Sequence, residues 1–388
     1  MVTFLIGDNN TSSASFNRFF ALAKATSIKQ NIRVALIRPI KDKKETLKVL
    51  GELSPSSFIA KEKPRKYLKF LSKLLGIYIS FQEINKFFKN ELKKSACKEV
   101  LFLYSTNLID YILYNSLAKK HGFRLVTERN EYPKLIREKV FIKTFFYRYL
   151  ILPQAYRVFD GMIVMTEYLR EFYTPYLKKE TPVVKVPMTV DFERFNNTQI
   201  SVLTEEYVFY AGSLIQQKDG IESLILAFLE VQKTVSDIKL KIAGGTNAEI
   251  AALKNKLSLK EDDRIEFMGL LPRKNIPSLL LNAKILMLPR PFSKQAEGGF
   301  PTKLGEYLAA GKPVIATPVG EIPNYLIHEN DVVFCYDLNP SSLSKLILTI
   351  LNNYDKYLEL GLQGQITAKK HFNLINNVDS LHKFYKEV

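Results

Sequence analysis

The sequence is poor in cysteine and histidine and has no tryptophan. Its 388 residues include only Cys97 and Cys335, together with four scattered histidines. Two cysteines cannot build a disulfide framework, and the histidines lack the spacing of metal ligands. We therefore expect a reducing, cytoplasmic environment and no metal site.

Long apolar runs are also missing. The most apolar stretch, at about 140–165, is interrupted by Lys143, Arg148 and Asp160. No uninterrupted run approaches the ~18 residues that a membrane span needs. The N-terminal MVTFLIGDNN has no basic leader before Asp8, so we expect a buried strand there rather than a targeting signal. The sequence predicts a protein that does not cross a bilayer.

The chain is long enough for two domains, and its composition of 46% hydrophobic and 24% charged residues is globular. Short apolar strands alternate with helical patterns in the first half, and the same alternation restarts near residue 207. Such alternation is typical of parallel sheets covered by helices on both faces. We predict an α/β protein with Rossmann-like domains at 1–195 and 196–365, and a terminal helix within 366–388 that packs back on the first domain.

The positive charge is confined to one half of the chain. Residues 1–195 contain 35 Lys and Arg against 18 Asp and Glu, whereas the remaining residues contain 21 of each kind. This asymmetry predicts an anionic partner for the first half. The basic segments 66–76 and 84–94 are typical of helices lying on anionic lipid, although domain helices with a solvated lysine face would look the same. We expect peripheral contact with the inner face of a membrane. No nucleic-acid motif is present.

The most informative segment is EGGFPTKLGEYLAAGKPVIATPVGEIP, at 297–323. A helix is predicted to begin near Thr302, and the unpaired amides of Thr302, Lys303 and Leu304 would form an anion site suited to a pyrophosphate. Glu306 follows on the next turn, where its carboxylate could accept hydrogen bonds from a ribose diol. A routine capped helix with solvated side chains is the alternative.

Five motifs of the second half resemble family 4 of the retaining glycosyltransferases, which have the GT-B fold. They are YAGSLIQQKDG (210–220), KIAGG (241–245), FMG (267–269), GFPTKLGEYLAAGKPVIAT (299–317) and VGEIP (319–323). In the first half only DGMIVMTEYL (160–169) and VPMTVDFERF (186–195) are similar to the family. The resemblance implies two Rossmann-like domains whose parallel sheets face each other across a cleft, with the acceptor in the first domain and the donor in the second.

The resemblance also implies an activity. A sugar would move from a nucleotide diphosphate donor to a hydroxyl of a glycan or lipid-linked glycan, with retention and without metal or cofactor, as in cell-surface polysaccharide synthesis. A GT-B sugar-nucleotide epimerase and a non-catalytic nucleotide-sugar-binding homologue remain alternatives.

The resemblance also implies roles for single residues, according to their positions in the matching motifs. Lys218 would contact the donor phosphates and neutralise the leaving diphosphate, and Glu297 would contact the donor sugar. The donor-binding candidates are Gly212, Ser213, Lys218, Arg290, Gly299, Phe300, Pro301, Thr302, Lys303, Leu304 and Glu306.

Two departures from the family pattern qualify these roles. Ser213 stands where the family usually has an arginine, and Arg290 and Arg273 are the candidates to replace that charge. Eight residues rather than seven separate Glu297 from Glu306, and the expected position holds Gly298. We expect either a bulge that still brings Glu297 to the sugar or backbone amides of 298–300 in its place.

The acceptor is expected to contact loops that follow strands of the first domain. Loop 7–13 offers Asn10 and Ser12, and TERNEYP (127–133) offers Glu128 and Glu131. These glutamates could orient the acceptor or polarise its hydroxyl, and helix capping is the alternative role.

Overall fold

A computed structural model describes most of the chain. The described residues are 1–6, 14–37, 50–51, 53, 58–59, 77–79, 81–86, 88–89, 99–133, 136, 145–196, 205–261 and 263–388. They form two compact units, Met1–Pro187 with Asn377–Val388 and Met188–Asn376. The units divide at 187 and 376. Within the second unit, the Val190 amide donates to the Phe372 carbonyl and the Leu374 amide donates to the Val190 carbonyl.

The first unit contains a seven-stranded parallel sheet of order β3-β2-β1-β4-β5-β6-β7. Its strands are β1 (Val2–Ile6), β2 (Ile32–Leu36), β3 (Phe58–Ile59), β4 (Val100–Tyr104), β5 (Arg124–Arg129), β6 (Gly161–Val164) and β7 (Val183–Lys185). All five residues of β1 are buried, because β1 pairs with β2 and β4 in the middle of the sheet. A strand buried on both faces needs apolar side chains at nearly every position, which explains the continuous apolar run in its sequence.

Helices cover this sheet. They are α1 (Ala14–Ser27), α2 (Leu108–His121), α3 (Leu152–Tyr156) and α4 (Glu167–Tyr173), with a π-helical turn at Tyr147–Ile151. The terminal helix, Val378–Glu387, contacts α1 and β7, and these last residues belong to the first unit. Gly161 of β6 permits a further close contact with the end of the chain, since a Cβ there would lie 2.6 Å from the Val388 side chain.

A fully buried ion pair joins α1 to β5. Arg18 Nε lies 2.6 Å from Glu128 Oε1, and both side chains are 0% exposed. The remaining nitrogens of Arg18 donate to the carbonyls of Val186 and Pro187, just after β7. One guanidinium therefore fastens α1, β5 and the last residues of the unit's first segment together.

The second unit contains a six-stranded parallel sheet of order β10-β9-β8-β11-β12-β13. Its strands are β8 (Glu206–Ala211), β9 (Ile238–Ala243), β10 (Ile265–Gly269), β11 (Ile285–Leu288), β12 (Val314–Ala316) and β13 (Val333–Phe334). Its helices are α5 (Glu193–Asn196), α6 (Gln216–Asp219), α7 (Ile221–Val231), α8 (Asn247–Lys256), α9 (Ile276–Asn282), α10 (Lys294–Gly298), α11 (Thr302–Ala309), α12 (Pro340–Asn352) and α13 (Tyr354–Phe372).

The strand order of the second unit reverses between β8 and β11. In open parallel sheets the ligand lies outside the carboxyl ends of the strands at such a switch point. The core is formed by α7 packed on α12 against the sheet, while α11 packs on α13. Both sheets confirm the predicted α/β class. Among the described residues, no helix combines the length and the apolar character needed to cross a membrane.

Replacing Arg18 by methionine should destabilise the first unit strongly. The substitution leaves the Glu128 carboxylate buried without its cation, which typically costs about 3–5 kcal/mol. Urea unfolding of the variant measures this loss. Lys29→Met is the matched control, because Lys29 pairs with Asp379 at the surface of the same unit, and it should change stability far less. Equal effects of the two substitutions would contradict a special role for the buried pair.

Candidate functional site

Four of the predicted donor-binding residues lie at the switch point of the second unit. β8 ends at Ala211, so Gly212 and Ser213 begin its loop, and Arg290 follows closely after the neighbouring β11. The short helix α6 brings Lys218 and Asp219 to the same loop. Gly212, Ser213, Arg290 and Lys218 were predicted from the sequence as donor-binding candidates, whereas Asp219 was not.

A buried carboxylate holds the central lysine of this site. Lys303 Nζ lies 3.2 Å from Asp219 Oδ2, and the Asp219 side chain is only 3% exposed. The Lys303 ammonium also lies 3.4 Å from the Tyr210 hydroxyl and over the Tyr210 ring. Lys303 therefore points from α11 toward the loop that follows β8.

Two more cations act on the same pair. Burial lowers the pKa of Lys303, the charges of Arg290 and Lys218 lower it further, and Asp219 opposes them. Burial raises the pKa of Asp219, but Lys303 and Arg290 together bring it below its ordinary value. The Asp219 carboxylate thus faces Lys303, Arg290 and Lys218.

The neighbouring tyrosine stays neutral. Burial and the adjacent Asp219 raise the pKa of Tyr210 well above its ordinary value. Its hydroxyl donates to the Ser213 carbonyl at 2.7 Å, so it orders the loop rather than adding a charge.

A side chain at position 212 would displace the Lys303 ammonium. A Cβ at this position would lie 2.0 Å from Lys303 Nζ and 2.5 Å from the Tyr210 hydroxyl. The adjacent loop is equally close, because a Cβ on Gly244 would lie 1.9 Å from the Gly212 carbonyl oxygen. Gly244 has a φ of 129°, which L side chains rarely adopt.

The start of α11 presents two backbone donors. Pro301 is the N-cap and its side chain accepts no hydrogen bond. The amides of Thr302 and Lys303 have no acceptor in the described part of the chain, whereas the Leu304 amide donates to the Pro301 carbonyl at 3.0 Å. The prediction of a free Leu304 amide is therefore wrong, because the first turn closes on itself. Two amides and the helix dipole still favour an anion here.

Glu306 lies on the second turn of α11 and is held by an arginine. Its Oε1 accepts from Arg194, whose second Nη donates to the Arg273 carbonyl at 3.1 Å. The side chains of Arg194 and Glu306 are 14% and 19% exposed. Arg273 therefore supplies a backbone carbonyl to this group.

The segment before α11 differs from the expected bulge. Residues 294–298 form the helical turn α10, and Glu297 pairs with Lys294 on it at 2.5 Å. The Gly299 amide closes the turn by donating to the Gln295 carbonyl. The Phe300 ring packs against Tyr325 and Phe372. The extra residue is thus accommodated in a helix, and the Phe300 side chain belongs to the core.

The acceptor candidates of the first unit differ in their positions and exposure. Asn10 and Ser12 lie outside the described residues. Glu128 is buried against Arg18, and burial raises its pKa above the ordinary value although Arg18 opposes this. A carboxylate with no exposed surface cannot contact an acceptor, so the expectation that Glu128 contacts the acceptor is corrected. Glu131 is partly exposed, and its carbonyl accepts from the Tyr173 hydroxyl.

Sequence reasoning missed Asp219, Arg194 and Tyr210. Asp219 and Tyr210 stand inside the first quoted motif, and Arg194 stands inside VPMTVDFERF. A lone acid after Lys218 was the available signal for Asp219. Within the described residues, no cluster of three or more His, Cys, Asp or Glu could hold a metal ion.

Comparisons with known proteins agree with this architecture. Residues 205–353 match the family described as "Glycosyl transferases group 1". An uncharacterized glycosyltransferase of Methanocaldococcus jannaschii is 26% identical over 236 residues, which cover 59% of this chain and 60% of that protein. The chain thus matches less than two thirds of this relative.

Solved structures resemble the whole chain. HepE of Anabaena in complex with UDP and glucose has a TM-score of 0.72 at 14% identity and covers 100% of this chain and 99% of its own. Sucrose-phosphate synthase from Thermosynechococcus elongatus has a TM-score of 0.71 at 16% identity, covering 100% and 98%. WaaG, a glycosyltransferase involved in lipopolysaccharide biosynthesis, has a TM-score of 0.67 at 14% identity, covering 98% of each chain. These likenesses show a two-domain GT-B fold.

Anion binding at the cluster should weaken at alkaline pH. Lys303 loses its proton at a lower pH than an ordinary lysine, because burial, Arg290 and Lys218 lower its pKa more than Asp219 raises it. Its attraction for an anion is therefore lost as the pH rises through that lowered pKa. Titrations of inorganic pyrophosphate between pH 7 and 10, followed by calorimetry, measure the decline.

Lys303→Arg is the control for this decline, because a guanidinium remains charged throughout the range and pyrophosphate titrates identically with both proteins. The variant should show a shallower alkaline loss of affinity. Parallel curves would show that Lys303 is not the group responsible.

Proposed function

We propose that this chain is a glycosyltransferase that moves a sugar from a nucleotide diphosphate donor to a hydroxyl of a glycan or lipid-linked glycan. The observation that carries the proposal is the cluster of Lys218, Arg290 and Lys303 around the buried carboxylate of Asp219, at the switch point of the second sheet. The match of residues 205–353 to a glycosyltransferase family supports the same activity. The structural neighbour HepE was solved with UDP and glucose, which supports a nucleotide-sugar donor.

The diphosphate would lie between the cation cluster and the start of α11. The free amides of Thr302 and Lys303 would donate to its oxygens, and the Lys303 ammonium would neutralise part of its charge. The Lys218 ammonium has no hydrogen-bond or ion-pair partner among the described residues, and the residue is half-buried, so this ammonium is available to a ligand. A sugar nucleotide bears two phosphate charges, which such a cluster can balance.

The rest of the donor would follow α11. Glu306 lies four residues after Thr302, or about 6 Å along the helix axis, a distance that suits a ribose next to the diphosphate. Glu297, which pairs with Lys294 on the preceding turn, and the backbone of 298–300 are the two candidates for contacting the transferred sugar.

The reaction needs electrostatic help at the leaving group. The acceptor hydroxyl oxygen would attack the anomeric carbon while the bond from that carbon to the diphosphate oxygen breaks. The nucleoside diphosphate takes the electron pair, and one of its phosphate oxygens takes the acceptor proton. Lys218, Lys303 and the two amides stabilise the charge that grows on the leaving oxygen. Attack on the same face would retain the anomeric configuration, and no metal is invoked.

Product analysis tests this activity. The protein should release nucleoside diphosphate from one of UDP-, GDP- or ADP-sugars in proportion to glycan formed, with the anomeric configuration retained by NMR. Lys218→Ala and Lys303→Met should each reduce turnover by roughly 10²- to 10³-fold, on the scale of one lost oxyanion donor.

Lys294→Met is the matched control for these lysines, since it removes an ammonium nearby that pairs with Glu297 instead of Asp219. It should retain most of the turnover. Full activity of Lys218→Ala would remove Lys218 from the mechanism. Donor binding without release, or epimerised donor as product, would favour the alternative functions.

We also propose that the first unit contacts anionic lipid, where a lipid-linked acceptor would reside. The excess of Lys and Arg in residues 1–195 supports this contact. A second support is a run of exposed apolar side chains, each 40–60% exposed, beside the basic Lys143 and Arg148 of the sequence. The run consists of Phe145, Phe146, Tyr149, Leu150 and Ile151. The predicted lipid-facing segment 66–76 lies outside the described residues, as does much of 84–94.

Vesicle flotation tests the lipid contact. The protein should float with phosphatidylglycerol vesicles and not with phosphatidylcholine vesicles, and the pair Phe146→Ser with Leu150→Ser should reduce the floated fraction several-fold. The control pair is Leu362→Ser with Ile366→Ser, which removes exposed apolar side chains from α13 of the second unit. Equal flotation of both pairs would contradict a docking role for the run at 145–151.

A further inference from the structure

The segment that carries the chain into the second unit lies directly against α11. The Gly305 amide donates to Met188 Sδ at 3.1 Å. A Cβ on Gly305 would lie 2.3 Å from Val190 Cγ2, so this glycine permits close contact between helix and segment. The segment continues into α5, which carries Arg194. Arg194 forms an ion pair with Glu306, the residue that follows Gly305.

Arg194 connects three separate parts of the second unit. It starts from α5, donates to Glu306 on α11 and donates to the carbonyl of Arg273 on the turn after β10. Its side chain is 14% exposed, so most of its length is enclosed. A planar guanidinium with several fixed donors suits such a bridge, and a lysine does not reproduce it.

The bridge decides which way the Glu306 carboxylate faces. Arg194 occupies Oε1, and Oε2 has no hydrogen-bond partner among the described residues. An exposed glutamate samples many rotamers, and ordering it costs free energy when a ligand binds. Since Arg194 already holds this carboxylate, the remaining oxygen is oriented before any ligand arrives.

We propose that Arg194 is a positioning residue that presents Glu306 to the ribose diol of the donor and thereby makes the site select ribonucleotides over deoxyribonucleotides. The inference rests on the proposed function, in that it assumes a nucleoside diphosphate beside α11. Arg194, on the segment that begins the second unit, would thereby contribute to nucleoside recognition. Arg194 acts through Glu306 and does not touch the diphosphate.

A purely structural tie would behave differently. If Arg194 only fastened α5, α11 and the turn after β10, its removal would weaken binding of every nucleotide alike, through loss of folded protein or a distorted helix. A positioning role predicts a loss confined to ligands that have the diol. Comparison of ribose with deoxyribose ligands therefore separates the two roles.

The test is calorimetric binding of UDP, GDP and ADP and of their 2′-deoxy and 3′-deoxy forms. Wild-type protein should prefer the best ribose form by roughly tenfold or more, as expected for a hydrogen bond to a charged group. Glu306→Gln and Arg194→Met should each reduce that preference to about twofold, while affinity for the deoxy form changes little. The double variant should show no further loss, because both substitutions remove the same interaction.

Controls keep the outcomes distinct. Lys274→Met removes an exposed cation from the same turn as Arg273 and should leave the preference intact. Arg194→Lys should restore the preference only in part, and thermal unfolding of each variant shows that binding is measured on folded protein. An unchanged ribose preference in Arg194→Met, or an equal loss for both ligand forms, overturns the proposal. Absence of any nucleoside diphosphate binding by wild-type protein would instead overturn the proposed function.

Discussion

The buried contact between Lys303 and Asp219 organises the second unit's site. A charge enclosed in protein must be paired, and a lone buried ammonium would lose its proton or turn to solvent. Asp219 therefore keeps Lys303 charged and in place, even though burial and the nearby cations favour its neutral form. The charges of Arg290 and Lys218 act on the same carboxylate. Such a cluster is worth little to stability by itself and gains most when an anion completes it.

The architecture was predictable because the strands of parallel sheets have a recognisable sequence pattern. Strands buried on both faces consist of short continuous apolar runs, and both sheets contain such strands. The domain boundaries were not predictable in the same way. Residues 188–195 join the second unit because Val190 pairs with the distant Phe372 and Leu374, and no local pattern announces that pairing.

The site was predicted in part for a similar reason. Gly212, Lys303 and the start of α11 belong to motifs whose local chemistry is readable, namely a close backbone approach and an open helix N-terminus. Arg194 and Glu306 lie 112 residues apart, so their contact is a property of the fold. Glu297 shows the opposite limitation, since a pair of glycines suggested a bulge where the chain forms one more helical turn closed by Gly299.

The position of Lys303 bears on the serine at position 213. The resemblance implies an arginine on the loop after β8, and Ser213 cannot supply that charge. Lys303 approaches the same loop from α11, because its ammonium lies where a Cβ on Gly212 would stand. Arg290 adds its charge from the loop after β11, while the carbonyl of Arg273 accepts a hydrogen bond from Arg194. A cation on the helix has an advantage over one on the loop, since it moves together with the free amides of the same helix. The Lys303 ammonium, the amides of Thr302 and Lys303 and the Glu306 carboxylate therefore keep fixed positions relative to one another on α11.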